Sequence, residues 1–381
     1  MLLLVSCSER AAIVEALPCV ASDGTRSFIT ANGELINPKL AEDVNISPLV
    51  NGFFTASTPE GKTVYKLNGD KVEAIEGLSG LKSAGYMACG VMPVCRSGNH
   101  VELVNTDGER VATLELKEGE IAECAPCFVD GVLVITNDKG RQGLVDTEGR
   151  VLIEPIYSSI SPIRDGLMIA MIESNKGAFV TQSYVVVNTS GKVVFDFKND
   201  VPVCDIVCNG KVVVKTKNGF AVVDINSGVA KVLPESVSRV QSVTDGLIVY
   251  RNKTGDYGLL SVGGEAVLDA VYNGLRIGEE NVVAAHKGNW QIIDTKTDVA
   301  IDLPELEMLS PVTGEAQKNG FTFVGKTAQG YYLIDNNGKR INESPLKSID
   351  YGKLSMTYMA TDYPVSTAPI EMPGDYTDDN E

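Results

Sequence analysis

Residues 142–173 read QGLVDTEGRVLIEPIYSSISPIRDGLMIAMIE. An apolar run meets Asp146-Thr147-Glu148-Gly149, a second apolar run follows, and beyond Tyr157 a second turn, Asp165-Gly166, launches a third. Short Val/Ile/Leu runs bounded by turn residues favour strands over helices. An Asp at a strand end accepts hydrogen bonds from amides two residues on, and Gly supplies the positive φ that closes a short hairpin. Whether this stretch is a lone hairpin or one unit of a series decides the fold.

It is one unit of a series. Three apolar positions, Asp or Asn, two residues, Gly and a further apolar position recur as SFITANGELI, TVYKLNGDKV, VELVNTDGERV, GLVDTEGRVLI, VVVNTSGKVVF, AVVDINSGVAKV, GLLSVGGEAVL, QIIDTKTDVAI and YLIDNNGKRI. The turn glycines are Gly33, Gly69, Gly108, Gly149, Gly191, Gly228, Gly264 and Gly338, with Asp298 in the eighth slot. From 33 to 338 is 305 residues in eight steps, a mean period of about 38, which marks a repeat architecture. The second turn recurs as Asp130-Gly131, Asn209-Gly210 and Asp245-Gly246, ahead of the strands VLVIT, KVVVKT and LIVYR. Three clear strands per unit, with a fourth around Tyr157-Ser-Ser-Ile or Tyr272, fit one blade of a β-propeller.

No stretch sustains a 3.6-residue apolar period, so helix should be scarce. The expected class is all-β, a β-propeller-like domain of about eight or nine blades, with an open β-solenoid as the alternative. Residues 13–22, IVEALPCVAS, resemble the last strand of a unit, and the final unit GYYLIDNNGKRI supplies early strands. Pairing the two chain ends within one blade would seal the ring and hide its sheet edges.

The unit resembles the bacterial WG-containing repeat, most closely from Gln142 to Ala170, where Gly143, Asp146, Gly149, Arg150, Pro155, Tyr157, Gly166, Leu167 and Ala170 sit in register. Trp290, the single Trp, opens WQIID, while Gln142, Tyr257 and Gly330 take its place in other copies. The resemblance covers about residues 26 to 345. It implies a β-propeller in a bacterial, often exported protein, from a family mostly without known enzymatic activity.

The 381 residues hold 33 Lys plus Arg against 50 Asp plus Glu, a net charge of −17. That field repels phosphate backbones and anionic lipid headgroups, which argues against nucleic acid and electrostatic membrane docking. No apolar run approaches the ~20 residues of a spanning helix. Two histidines, His100 and His286, leave little room for imidazole catalysis or a multi-His metal site. Asp146, Asp224, Asp294 and Asp335 recur once per unit, so with Gly149, Gly228 and Gly338 they read as turn formers. A glycosidase needs two carboxyls flanking one bond. GxSxG, HExxH, P-loop and EF-hand patterns are missing, and no metal or cofactor is expected.

Eight cysteines remain: Cys7, Cys19, Cys89, Cys95, Cys124, Cys127, Cys204 and Cys208. Cys124-Ala-Pro-Cys127 has redox or metal spacing, yet Cys19 and Cys127 fill the slot that Ile163 holds, so buried thiols are the favoured reading. Trp290, Tyr257, Tyr331, Tyr332 and Tyr250 are candidates for a face that stacks on a sugar or grips a peptide. Packing between blades is their competing role.

The chain opens MLLLVSC, and Leu4-Val5-Ser6-Cys7 resembles the bacterial lipobox, in which the Cys becomes a lipid anchor. The expected organisation is a signal remnant at 1–7, the repeat domain at 8–358 and an acidic, solvated tail at 359–381. The expected function is a non-enzymatic, monomeric, envelope-anchored binding or scaffolding surface for a protein or glycan partner, with membrane contact only through Cys7. A carbohydrate-active hydrolytic propeller is the alternative. A third reading, docking of partner strands on a blade edge, requires an accessible edge strand.

Overall fold

The computed structural model describes residues 12–351 apart from 42–43, 70, 97–99, 117–118, 177–178, 199, 204–206, 245, 279–280 and 313–318. Among the described residues every regular element is a strand. Within a blade, neighbouring strands pair antiparallel, so the chain folds into successive meanders. The fifth shows the plan: Ser159–Ile160, Leu167–Lys176, Phe179–Asn188 and Val193–Asp196, from inner to outer strand.

Eight blades follow one another among the described residues at 45–74, 83–116, 119–157, 159–196, 201–232, 239–272, 274–303 and 308–334, the last with three strands. A further blade, numbered first here, closes the ring. Its inner strand Ser348–Ile349 comes from the far end of the chain and pairs with Val14–Val20, which continues through Arg26–Thr30 to Leu35–Ile36. Cys19 faces Ile349 and Val20 faces Ser348. Two more backbone bonds, Lys347 N–H to the Val20 carbonyl and Asp350 N–H to the Pro18 carbonyl, both 2.8 Å, complete the seam. The described residues therefore form a closed nine-bladed β-propeller. The chain ends are paired where a solenoid's would be capped.

The structure shifts the frame of the repeat. Residues 142–157 are the third and outer strands of blade 4, and the boundary falls at Ser158. The sequence unit thus straddles two blades. Because each blade is packed on both faces, successive side chains along a strand serve opposite interfaces. Leu144 joins Met168 and Ala170 of blade 5, while Val145 joins Val101 and Leu103 of blade 3. Double burial explains why the middle strands read as unbroken runs such as VVV. Each aliphatic side chain so buried contributes about 1.5–3 kcal/mol.

Gly143, in the third strand, has its own reason. A Cβ there would lie 2.3 Å from the Ile153 carbonyl oxygen of the outer strand. The outer strands carry many of the exposed aliphatics, including Val193, Val194, Val232 and Val299.

Candidate functional site

The acidic turns are self-contained. Asp146 accepts from the amides of Glu148 and Arg150 at 3.1 and 2.8 Å, and Asp335 from those of Asn337 and Lys339 at 2.9 and 2.8 Å. Asp224 and Asp294 repeat the arrangement. Every turn glycine in the series, including Gly149, Gly228 and Gly338, has positive φ, and so does Asp298.

Hydrogen bonds to a carboxylate favour its charged form. Amide and hydroxyl contacts from Ser227, with the Lys211 ammonium, hold Asp224 at about 2. Lys231 and then Ser261 hold Glu265 at about 2. Asp294 and Glu60 are lowered by their turn partners. The carboxylates whose proton affinity shifts all move down, toward permanent charge and away from general-acid use.

The other turn, between inner and second strands, links neighbouring blades. Asn51, Cys89, Asp130, Asp165 and Asn209 each adopt positive φ just ahead of a positive-φ Gly. From this slot Asn51 Nδ2 donates to the Met87 carbonyl at 2.8 Å, and Asp130 Oδ2 accepts from the Gly166 amide at 2.9 Å. Cys208 Sγ accepts from the Gly246 amide at 3.1 Å. These bonds span 36 to 38 residues, one period of the chain.

The aromatic candidates are distributed among blade interfaces. Tyr257 and Tyr332 are 6% and 4% exposed, with Arg251 and Arg340 guanidinium groups 5.2 and 4.3 Å from their ring centroids. Such burial removes both rings from any presented face. Tyr250 is 6% exposed. Tyr331 lies half-buried against the inner-ring core.

Trp290 is half-buried beside His286, ring centroids 5.0 Å apart, and its indole N–H donates to the Glu307 carbonyl of blade 9 at 3.2 Å. Gln142, in the same slot of its unit, is buried and accepts from the Ile160 amide of blade 5 at 2.6 Å. The slot is a connector to the next blade, filled by Trp in one copy and Gln in another. Trp290 and Tyr332 share one apolar cluster between blades 8 and 9, whereas Tyr250, Tyr257 and Tyr331 lie in three others.

Cys7 lies outside the described residues, as do Cys204 and the tail at 359–381. Cys19, Cys95, Cys124, Cys127 and Cys208 are buried thiols, and burial raises Cys19 to about 12. Cys89 departs from the buried-thiol reading: it is disulfide-bonded. Among the described residues no group of three or more His, Cys, Asp or Glu could hold a metal ion, and no helix is long and apolar enough to cross a membrane.

Three features were not singled out in the sequence. A cleft of 470 Å³ lies between blades 1 and 2, lined by Arg26, Lys39, Asp23 and Ile46 among others; Arg26 Nη1 donates to Asn45 Oδ1 at 2.8 Å. On the inner ring, Tyr86 is pushed up to about 12 by burial, with Cys127 and Asp350 adding to it.

The third feature is the hairpin of blade 5. Its two strands are ten residues each, against five or six for the matching strands of blades 6 to 9. The inner strand accompanies it only to Met171 and the outer strand only to Val185. Five further pairs, from Ile172↔Ser183 to Lys176↔Phe179, run on with no strand beside them among the described residues. Glycine spacing carried this signal: Gly166 to Gly191 is 25 residues, whereas Gly131 to Gly149, Gly210 to Gly228 and Gly246 to Gly264 are each 18.

Fold and site define a closed repeat propeller. Comparison with known proteins agrees on the class. The WG containing repeat family matches residues 143–176, from the third strand of blade 4 to the end of the second strand of blade 5. No curated protein matches the chain in sequence.

Among solved structures, a eukaryotic initiation factor is similar over 89% of this chain and 96% of that one, at 12% identity and TM-score 0.51. BamB from Moraxella catarrhalis (14% identity, 78% and 93% covered, TM-score 0.39) and the Dos1 propeller (10%, 72% and 86%, 0.37) are more distant. These likenesses speak to the fold alone.

Proposed function

We propose that this chain is a non-enzymatic scaffold that presents a repeat-built ring to a protein partner, with an extended segment of the partner adding as a strand to the blade 5 hairpin. The hairpin carries this reading. Five cross-strand pairs stand clear of both flanking strands, a reach on the order of 15 Å at about 3.4 Å per residue. A two-stranded ribbon is marginal alone in water, and unpaired backbone groups along its edges are a template for a further strand. Val180, 62% exposed, with Thr181 and Gln182 beside it, gives such a strand apolar and hydrogen-bonding surface. The downward shifts of Asp224, Glu265 and Asp294 support binding over acid/base hydrolysis.

Envelope anchoring through a lipidated Cys7 belongs to the same proposal and rests on Leu4-Val5-Ser6-Cys7. It has a direct chemical check. Cys89 is disulfide-bonded. A sulfur alkylated as a thioether cannot also form a disulfide, so a non-reducing peptide map that joins Cys89 to Cys7 removes the anchor.

The scaffold itself is tested by crosslinking pull-down from native cells. The full chain is compared with a variant trimmed in register by deleting 173–175 and 180–182. A stoichiometric protein captured by the first and lost by the trimmed chain supports the reading. Equal capture by both displaces the hairpin from its role, and capture of no protein, with binding on a glycan array, overturns the protein partner.

A further inference from the structure

Where the ring closes, three consecutive inner strands bring together side chains distant in sequence. Arg276 lies in Gly274–Ile277 of blade 8, Ser310 in Met308–Pro311 of blade 9, and Tyr351 two residues beyond Ile349 of the closing blade. Arg276 Nη1 donates to Ser310 Oγ at 3.0 Å. Ser310, 7% exposed, hydrogen-bonds in turn to the Tyr351 phenol, whose own hydroxyl donates to Met308 Sδ at 3.5 Å. The relay therefore runs from a guanidinium through two hydroxyls and ends on a thioether, a weak acceptor.

Arg276 is left with donors to spare. A guanidinium carries five N–H groups in a planar fork, and Ser310 takes one. Arg276 is solvent-exposed, and among the described residues no carboxylate pairs with it, in a chain with 50 acids. The group such a fork accepts best is a carboxylate, held bidentately. The nearest supply by connectivity is the chain that follows Tyr351. It carries Asp362, Glu371, Asp375, Asp378, Asp379 and Glu381, and beyond Lys353 no Lys or Arg. A segment tethered beside a site is held there at a raised effective concentration, in the millimolar range for a short linker, and closing a loop of about ten residues costs little entropy.

We propose that Arg276, oriented by Ser310 and Tyr351, is a carboxylate-binding site at the ring seam, and that acids of the chain's own 362–381 segment occupy it. The segment then acts as a tethered, displaceable occupant of the inner ring. Strand docking on blade 5 is independent of it.

Zero-length carbodiimide crosslinking of the full-length Arg276→Lys variant tests this. The introduced amine should form an amide with an acid of 362–381 in the same chain, with a yield that falls as salt rises from 50 to 500 mM. The Lys211–Asp224 pair, 3.2 Å apart, serves as internal control. A map in which that control crosslinks and 362–381 does not overturns the proposal; so does a crosslink found only between chains.

A second measurement keeps the native arginine's role testable. Hydrogen exchange at 308–311 and 346–351 should speed by about fivefold in Arg276→Gln. It should speed equally in a full-length variant with amides for the six acids, and no further when the two are combined. Additive effects would mean that the arginine and the acids act separately, which defeats the idea.

Discussion

Blade 5 and the closing blade share four-stranded topology and differ in how the chain reaches it. In blade 5 all four strands are contiguous, from Ser159 to Asp196, and the excess length of its hairpin projects beyond the blade. In the closing blade one strand arrives from more than 300 residues away and is only two residues long, Ser348–Ile349. Blade 5 contacts are local and cheap in loop entropy, while the seam must recover the cost of joining distant ends through burial. Leu17, Ile29 and Ile349 accordingly sit in the largest apolar cluster, which extends across blades 1 to 4 and blade 9. The seam is where the ring is most easily opened, and the blade 5 tip is where it tolerates change.

The sharpest break of that contrast is a charge on each side. Ile349→Asp buries a carboxylate against Cys19 and should cost about 4 kcal/mol. Val180→Asp, on a residue 62% exposed, should stay within about 0.5 kcal/mol. Calorimetric melting of both variants checks this, and equal destabilisation would deny the seam its special place.

A smaller effect separates two turns with the same backbone. Gly149 and Gly228 have φ of 79° and 70°, so Ala at either adopts the left-handed region at about 1 kcal/mol. At Gly149 the added methyl also lies 2.8 Å from Ala112 Cβ of the preceding blade, while at Gly228 nothing lies within 4 Å. Gly149→Ala should therefore cost about 2 kcal/mol and Gly228→Ala about 1, as read by urea unfolding.

The smallest effect concerns pH. Asp224 and Glu265 titrate at about 2 in the folded chain, below their ordinary 3.8 and 4.5. Above about pH 4.5 their contribution is fully present. As pH falls toward 2 the unfolded chain takes up these protons first, so stability declines. Asp224→Asn should flatten that decline in unfolding midpoints measured from pH 5 to 2. An unchanged slope would mean that the Lys211 and Ser227 contacts do not persist in solution.

Much of this was legible in the residues. Asp146, Gly149 and their counterparts announce each turn, because a local Asx bond and a positive φ need no tertiary partner. The exchange of roles at 142–157 was not legible: period alone leaves the phase of a blade open, and only the pairing of Ser159 with Met171 sets the boundary at Ser158. Tyr257, Tyr332 and Trp290 read equally as rim or interface. Side chains on a doubly packed strand look alike until the neighbouring blade is in place, and that blade buries the first two and hydrogen-bonds the third.

Sequence by itself determined the all-β class, the repeat and the turn chemistry, since these follow from short-range patterns of apolar residues, Asp and Gly. Tertiary structure decided the nine-blade closure, the standing hairpin of blade 5 and the meeting of Arg276, Ser310 and Tyr351. Those depend on which strands become neighbours across 34 to 330 residues, and no local preference encodes that distance.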